Sequence, residues 1–516
     1  MGFRKELLIG VDLGTGGCKI TLLDPAGKVV GDSFTEYKTA YPRQGWAEQN
    51  PEDWIKAFVL TLQTVLQAAG ADVSDILALS VDASTHNAVL TGQEGQILRP
   101  CIMWMDQRSF PQVKKLEDRM GDFIFRVTFN KVNPTWTLPQ LLWIRENEPE
   151  VLRRTERIFF TKDYLRYRLC GTWETDHIDA QGSMLFDGSK KEWSQDLIQE
   201  TGLALTVFPP VVKPTTVCGK VTRQAARETG LREGIPVIVG TSDTAAEDYG
   251  AGAIEPGHGI VKMATAGNVC IMSARPRPTP AAFNYPHVVE GLWYIVAGTN
   301  SCASANRWYR DVLCRWEAEE AKAEGESAFR KMDEMAARAP LGAQGLFFHP
   351  YLMGERSPYF DPYLRASFVG ATMGHQKEHF SRAVLEGVAY SLLDASRVIK
   401  DLGQDLRDLR LIGGGGRSPL WRQILADVMG KPILIPSAGD ASFGTALLAG
   451  TGIGLFADPQ TAVRQAVRYE AEIQPNPQNH EQYRKYFSVY QKIHDQLASV
   501  YRTIHESLEE KQRRFR

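Results

Sequence analysis

Two turns rich in glycine and threonine lie far apart in the sequence and suit the same chemistry. The first, Asp12-Leu-Gly-Thr-Gly-Gly17, joins the apolar segments Leu7–Asp12 and Lys19–Leu23. The second, Ala264-Thr-Ala-Gly267, lies within Gly259–Ile271. Glycine lets a backbone approach a ligand closely, and consecutive N–H groups in such a turn form an anion-binding concavity. Two such turns could hold a polyphosphate from opposite sides, which makes nucleotide-dependent phosphoryl transfer the leading hypothesis.

Two aspartates stand where predicted strands end. A carboxylate is costly to bury without a partner, so Asp12 is a candidate to face a hydrated Mg²⁺. Asp243 follows the strand Pro236–Gly240 and precedes a helix, a position that faces ligands in open α/β sheets. There it would accept the proton of a hydroxyl that attacks a γ-phosphate. The alternatives are that Asp12–Gly17 is a simple hairpin and that Asp243 only caps a helix.

Two polar stretches near a tryptophan suit a sugar, whose hydroxyls need paired donors and acceptors and whose carbons need an apolar face. They are Ser84-Thr-His-Asn87 and Trp104-Met-Asp-Gln-Arg108. The candidate sugar-binding residues are Thr85, His86, Asn87, Trp104, Asp106 and Asp243. The alternatives are that His86 is a satisfied structural histidine and that Asp106 and Arg108 form a surface pair.

Alternating strands and helices must position these residues. The pattern predicts a helix from Pro51 to about Ala69, a strand over Ile76–Val81 and another helix from about Glu378 to Lys400. Gly413–Gly416 follows a predicted strand and precedes a helix, so it could accept a flat adenine or be a flexible turn. The pattern indicates an α/β protein of two domains, residues 1–255 and 256–516.

Length and composition narrow the class of protein. The 516 residues are 43% hydrophobic with a formal net charge of −2, which gives no electrostatic reason to expect a nucleic acid partner. No run reaches the ~20 apolar residues of a membrane span, and the early strand leaves no room for a signal peptide. Seven scattered cysteines without a C-x-x-C pair favour a reducing compartment. We therefore expect a cytoplasmic protein without membrane or nucleic acid partners.

Taken together, these residues resemble the FGGY family of carbohydrate kinases, within the actin, hexokinase and Hsp70 superfamily. The resemblance covers essentially the whole chain. Further segments that carry it are Gly45–Trp54, Thr161–Leu169, Gly354–Pro358 and Arg382–Gly387. Leu411–Arg422 is most similar to the xylulokinase branch.

The resemblance implies two RNase H-like domains, as in actin and hexokinase, that flank a central cleft. It implies that ATP and Mg²⁺ bind through Asp12, Gly14, Thr15, Thr265 and Gly267, with Asp12 facing the metal. Gly414, Gly415 and Ser418 would border the adenosine. Asp243 aligns with the catalytic aspartate of the family, and His86 with the histidine of the sugar loop.

The expected sugar pocket departs from the xylulokinase pattern at two places. Thr85-His86-Asn87 stands where Met-His-Gly is usual, and Thr244 follows the catalytic aspartate where an amide residue is usual. D-xylulose, phosphorylated to D-xylulose 5-phosphate, is the best single prediction. Ribulose or another ketose, a polyol such as erythritol, or a sugar acid such as gluconate are alternatives. A non-catalytic nucleotide or sugar sensor is an alternative of another class, and the resemblance leaves a homodimer open.

Overall fold

The computed structural model describes residues 5–514, with side chains to residue 508. These residues form two compact units. Unit 1 comprises Met1–Ile254, Ala274–Tyr294 and Ala438–Arg468, and unit 2 comprises Glu255–Ser273, Ile295–Ser437 and Tyr469–Arg516. The chain first passes from one unit to the other between residues 254 and 255, and two later segments return to unit 1.

The described strands, in chain order, are β1 (Leu7–Leu13), β2 (Gly17–Leu23), β3 (Val29–Glu36), β4 (Glu48–Gln49), β5 (Ile76–Ala83), β6 (Ala88–Thr91), β7 (Cys101–Ile102), β8 (Arg157–Phe160), β9 (Thr175–Asp176), β10 (Phe186–Asp187), β11 (Glu192–Trp193), β12 (Val211–Val212), β13 (Val217–Lys220), β14 (Pro236–Ser242), β15 (His258–Met263), β16 (Gly267–Ser273), β17 (Phe283–Pro286), β18 (Trp293–Thr299), β19 (Phe347–His349), β20 (Ser367–Val369), β21 (Asp408–Ile412), β22 (Ile433–Pro436) and β23 (Tyr469–Ile473).

The described α-helices are α1 (Pro51–Ala69), α2 (Phe110–Thr128), α3 (Thr137–Asn147), α4 (Pro149–Arg153), α5 (Thr161–Cys170), α6 (His177–Gly182), α7 (Gln195–Thr201), α8 (Arg223–Thr229), α9 (Asp243–Gly250), α10 (Ala303–Leu313), α11 (Arg315–Ala323), α12 (Ala328–Arg338), α13 (Lys377–Lys400), α14 (Pro419–Met429), α15 (Ala441–Gly452), α16 (Pro459–Ala466) and α17 (Pro477–Arg514). Within the described residues, none of them is long and apolar enough to cross a membrane.

Each unit is built on a mixed sheet of similar topology. In unit 1 the strand order is β13-β14-β5-β1-β2-β3, in which β1 to β3 are antiparallel and β5 and β14 run parallel to β1. In unit 2 the order is β18-β16-β15-β21-β22-β23, with β15 and β16 antiparallel and β21 and β22 parallel to β15. The glycine-rich turn of each hairpin therefore lies at the edge where the parallel strands end.

Local sequence signals set the ends of these elements. Helix α1 begins where predicted: the Asn50 side chain accepts a hydrogen bond from Glu52 N, and Pro51 occupies the first turn. The backbone of helix α15 lies so close to β1 that a Cβ atom at Gly10 would be 1.8 Å from Ser442 O. A glycine is therefore required at the centre of the unit 1 core, where the helix backbone approaches the sheet.

The C-terminal helix α17 packs on its own unit. Tyr483 OH donates a hydrogen bond of 2.8 Å to Glu386, and Tyr490 OH donates one of 3.0 Å to Tyr351 OH. Both Tyr483 and Tyr490 are fully buried. One face of this charged helix is therefore part of the unit 2 core.

Candidate active site

Three aspartates meet where β1, β5 and β14 end in unit 1. Asp12 is paired with Asp82 across β1 and β5, and Asp82 is also paired with Thr241 of β14, two residues before Asp243. Thr445 donates a hydrogen bond to one oxygen of the buried Asp82, whose other oxygen has no partner among residues 5–508. Burial, and then the nearby Asp12 and Asp243, raise the pKa of Asp82 well above its usual value.

Asp243 is the first residue of α9 and not its cap. Ser242 is the cap, because its side chain accepts the hydrogen bond from Ala245 N. The interpretation of Asp243 as only a helix cap is therefore wrong. Its Oδ1 accepts a hydrogen bond of 2.6 Å from Thr244 N, and the residue is half-buried. A carboxylate at a helix N-terminus is stabilised in its charged form, which is the form that can accept a proton.

The first glycine turn has its carbonyl groups bound by protein donors. Tyr37 OH donates to Gly14 O, Gln49 Nε2 donates to Thr15 O at 2.8 Å, and Tyr37 N donates to Gly16 O at 3.3 Å. Since carbonyl and N–H groups of a peptide point in opposite directions, this arrangement turns the N–H side of the segment away from these donors. The turn joins the antiparallel strands β1 and β2 as a hairpin, and its N–H groups stay the predicted anion-binding groups.

The second glycine turn is held in the same way in unit 2. Thr265 O accepts hydrogen bonds from Cys302 N at 3.0 Å and from Ser304 Oγ at 2.7 Å, both at the start of α10. Thr265 itself is exposed. A Cβ at Gly267 would lie 2.8 Å from Leu392 Cδ2 and 2.9 Å from Thr299 Oγ1, so these side chains would have to shift to admit a larger residue. The backbone of the exposed Thr265 is therefore held by hydrogen bonds from the start of α10.

The glycine run after β21 packs directly beside this second turn. Gly413 has φ 89°, and a Cβ there would lie 2.7 Å from Met263 O. Gly415 is buried against the Met263 side chain, whereas Gly414 is exposed, with no described heavy atom within 4 Å of a Cβ position. Ser418 caps α14. The run is a 3₁₀ turn with one open glycine, which is a surface that a flat base could cover.

His86 is a buried, neutral histidine with an unused ring nitrogen. Its backbone is left-handed at φ 55°, its N–H donates to Asp179 Oδ1 at 3.3 Å, and its carbonyl accepts from Thr137 Oγ1 at 2.6 Å. Its ring stacks on Trp136 with centroids 5.1 Å apart. Nδ1 has no hydrogen-bond partner among the side chains and backbone described, and burial lowers the pKa to about 3. The interpretation of His86 as a satisfied structural histidine is therefore wrong.

Asn87 connects the sugar loop to Trp104. Its Nδ2 donates to Ser84 O and Ser84 Oγ, both at 2.9 Å, and its Oδ1 accepts from Trp104 N at 2.6 Å. Trp104 Nε1 then donates to Thr15 Oγ1 at 2.9 Å, while the ring remains 40% exposed. The fully buried Asn87 amide therefore holds the tryptophan between the loop and the first glycine turn.

Asp106 lies in a buried ion pair. Arg108 Nη2 donates to Asp106 Oδ2 at 2.8 Å, and Ala47 N donates to the same oxygen at 2.6 Å. Both charged side chains are buried, so the interpretation as a surface pair is wrong. Asp106 fixes the segment that follows Trp104, because a buried carboxylate needs all of its partners.

Sequence reasoning missed an aromatic wall beside His86. Trp136 stacks on Tyr285 at 5.8 Å, and Tyr285 stacks on Tyr294 at 5.2 Å. Burial, with the charges of Asp243 and Asp179 nearby, raises the pKa of Tyr285. These rings come from segments that are far apart in the sequence, so their aromatic residue types were the available signal of a carbohydrate site.

A buried ionic cluster under the sugar loop was also missed. Lys162 Nζ lies 2.6 Å from Asp163, 3.1 Å from Asp176 and 3.0 Å from Asp179, all fully or almost fully buried. Asp179 is the residue that accepts the hydrogen bond from His86 N. Thr85 stands next to this histidine, and a Cβ at Gly182 would lie 2.6 Å from Thr85 Cγ2. The adjacent Lys162 and Asp163 at the start of α5 were the available signal.

Two glycine turns with bound carbonyls, a carboxylate at the start of a helix and a buried histidine beside stacked aromatic rings are the features expected of a phosphotransferase acting on a small polar acceptor. The family model for the N-terminal domain of the FGGY family of carbohydrate kinases matches residues 7–250, and that for the C-terminal domain matches residues 261–453. The chain belongs to the FGGY family of carbohydrate kinases and is a sugar kinase. The resemblance inferred from the sequence is confirmed, as is the two-domain α/β class.

Similar proteins span nearly the same length. The chain is 30% identical to a xylulose kinase of Bacillus subtilis (strain 168) over 95% of this chain and 97% of that one. It is 28% identical, with a TM-score of 0.88 over 96% of this chain and all of the other, to a xylulose kinase structure from Rhodospirillum rubrum. A gluconate kinase structure from Lactobacillus acidophilus is 27% identical with the same TM-score of 0.88, over 97% and 100% of the chains.

Proposed function

We propose that this kinase transfers the γ-phosphoryl group of ATP to D-xylulose, giving D-xylulose 5-phosphate. The observation that carries the proposal is the position of Asp243 at the β14–α9 junction. It lies on the same sheet edge as Asp12, and its charge acts on Tyr285 in the aromatic wall beside His86. The names of the relatives support xylulose as the acceptor.

In the proposed mechanism Asp243 accepts the proton of the sugar hydroxyl as its oxygen attacks the γ-phosphorus. The hydrogen bond from Thr244 N orients one oxygen of the Asp243 carboxylate. His86 is neutral, so its Nδ1 either accepts a hydrogen bond from a sugar hydroxyl or donates one, with no charge introduced. Trp104 and Trp136 supply apolar faces for the carbon skeleton. Positioning and charge stabilisation dominate such a transfer.

The nucleotide would be held by the two glycine turns. Gly14 and Thr15 in unit 1, and Thr265 and Gly267 in unit 2, would bind phosphate oxygens, and Gly414, Gly415 and Ser418 would border the adenosine. Bound carbonyls in both turns support this assignment, because the peptide orientation is fixed before an anion arrives. The proposed division into residues 1–255 for the sugar and residues 256–516 for the adenosine would then need one amendment, because Ala274–Tyr294 and Ala438–Arg468 fold with unit 1 and the first of them contributes Tyr285 to the aromatic wall.

The aspartates at the sheet edge fit a magnesium ion that arrives with the nucleotide. Among the described residues there is no group of three or more His, Cys, Asp or Glu side chains that could hold a metal by itself. Mg²⁺ usually keeps several waters and binds through one or two carboxylates plus substrate phosphates. Asp12 would hold it in that way. The metal would neutralise charge that develops on the phosphates.

The identity of the acceptor sugar depends on the residues around the sugar loop. Thr85 and Thr244 differ from the xylulokinase pattern, and a gluconate kinase has the same fold similarity. Another ketose, a polyol or gluconate would use the same base and turns. We further propose a cytoplasmic enzyme, without nucleic acid or membrane partners, that can form a homodimer.

The test measures ADP release from Mg·ATP with a coupled assay over ketoses including xylulose and ribulose, polyols including erythritol, and sugar acids including gluconate. Xylulose should give the highest kcat/KM. A higher value for another compound would replace xylulose while keeping the kinase. No stimulation by any compound, with ATP still bound, would favour a sensor over the proposed reaction.

A further inference from the structure

Two cysteines of unit 1 lie next to each other, away from the proposed sugar and phosphate sites. Cys170 is the last residue of α5, and Cys218 lies in β13; their Sγ atoms are 4.0 Å apart. The sulfur atoms of a disulfide are about 2.05 Å apart, so an approach of about 2 Å would join them. All seven cysteines are free thiols in the structure.

The backbone around Cys218 permits that approach. β13 is the edge strand of the unit 1 sheet, and its register with β14 shifts between Val217 and Gly219. Cys218 is thus the extra residue of a bulge, which is not held in the regular ladder. The strand already passes close to the helix, because a Cβ at Gly219 would lie 3.0 Å from Cys170 Cβ.

The two thiols differ in pKa and in exposure, which makes one the reactive thiol and the other the resolving thiol. The hydrogen bond with Cys170 lowers the pKa of Cys218 to about 6, and the Arg166 guanidinium acts in the same direction against the effect of burial. The same hydrogen bond and burial raise the pKa of Cys170. Cys218 is also the more accessible of the two, since Cys170 is only 9% exposed. The thiolate is the nucleophilic form, so Cys218 reacts first.

We propose that Cys170 and Cys218 form a dithiol site that peroxides convert reversibly into an intramolecular disulfide. The Cys218 thiolate attacks one oxygen of hydrogen peroxide, the O–O bond breaks, and hydroxide leaves and is protonated to water. The sulfur of Cys170 then attacks the sulfenic acid of Cys218. An S–S bond forms, and the S–O oxygen leaves with the thiol proton as a second water. The two sulfurs lose two electrons, which the peroxide accepts, and an added dithiol reverses the reaction.

The test begins with the purified, reduced, full-length protein. It is treated with a few equivalents of hydrogen peroxide, its remaining thiols are alkylated, and its peptides are mapped by mass spectrometry without reduction. We expect one linked peptide pair containing Cys170 and Cys218, two hydrogens lighter than the separate peptides. The thiol count should fall by two from seven and return with dithiothreitol. Loss of thiols in wild type without this linked pair would overturn the proposal.

Single substitutions then test the order of the two steps. In Cys170→Ser, the sulfenic acid of Cys218 should persist and be trapped by dimedone. In Cys218→Ser, peroxide should no longer remove two thiols. The matched control is Cys101→Ser, which removes another buried thiol of unit 1 and should oxidise as wild type does. If dimedone labelled Cys170 in Cys218→Ser as fast as it labels Cys218 in Cys170→Ser, the assignment of Cys218 as the reactive thiol would be overturned.

Discussion

Replacement of Asp243 by asparagine removes the proposed proton acceptor at almost constant side-chain volume. The helix cap belongs to Ser242, so the substitution leaves it intact, and the free energy of unfolding should change by less than about 1 kcal/mol. Loss of a general base lowers turnover by roughly 10²- to 10⁴-fold, which corresponds to about 3–5 kcal/mol of activation free energy. Asp243→Asn should therefore be a folded protein that binds ATP but hardly turns over.

The assay is the coupled measurement of kcat with saturating sugar, with ATP affinity measured by calorimetry and stability by urea unfolding. The matched control is Ser242→Ala, which loses the hydrogen bond to Ala245 N and about 1 kcal/mol of stability but keeps the carboxylate. It should retain most of the turnover. A kcat for Asp243→Asn above about a tenth of wild type would refute the role of the carboxylate as base. Equal activity losses in the two variants would refute it as well.

Three other predictions follow from burial and packing. The pKa of His86 in the folded protein, about 3, lies below its ordinary value of 6.5, so the stability that neutral His86 contributes is present above pH 6.5 and is lost as the pH falls. Between pH 7.5 and 5, the free energy of unfolding measured in urea should therefore decrease by roughly 2 kcal/mol less in His86→Asn than in wild type. Gly267→Ala should cost about 1–3 kcal/mol by thermal or urea unfolding and raise the KM for ATP, whereas Gly414→Ala, with open space at its Cβ, should leave stability unchanged. Lys162→Met removes the cation that three buried carboxylates share, of which Asp163 keeps Arg166, and should cost about 3–5 kcal/mol in the same measurement.

The features that could be predicted from sequence are those in which one short segment contains its own signal. Glycine and threonine between two apolar strands marked both turns, and the change from apolar run to helix marked Asp243. The N-cap Asn50 and Pro51 marked the start of α1, which begins where predicted. Such signals depend on backbone conformation and hydrogen bonds within a few residues, so no knowledge of tertiary contacts is needed.

The features that could not be predicted depend on contacts between distant segments. Asp82 ends an apolar strand, and only the pairing of β5 with β1 and β14 places it between Asp12 and Asp243. The aromatic wall needs Trp136 and Tyr285 together, although about 150 residues of chain separate them. Asn87 was expected to face a sugar, and its contact with Trp104 N arises only from the folded loop. No local pattern contains this information, because the first contact depends on sheet register and the others on how distant segments pack together.

In both glycine turns the carbonyl groups accept hydrogen bonds, but the donors differ between the two units. In the first turn the carbonyls are bound by the side chains of Tyr37 and Gln49, whereas in the second Thr265 O is bound by the start of α10 and by Ser304. Their common sequence therefore lies in the turn itself and not in its support. A turn whose N–H groups bind phosphate cannot be held through those groups, so each unit holds its turn through hydrogen bonds to the carbonyl groups. In the proposed role, this arrangement would give preorganised N–H groups without occupying the face that the nucleotide needs.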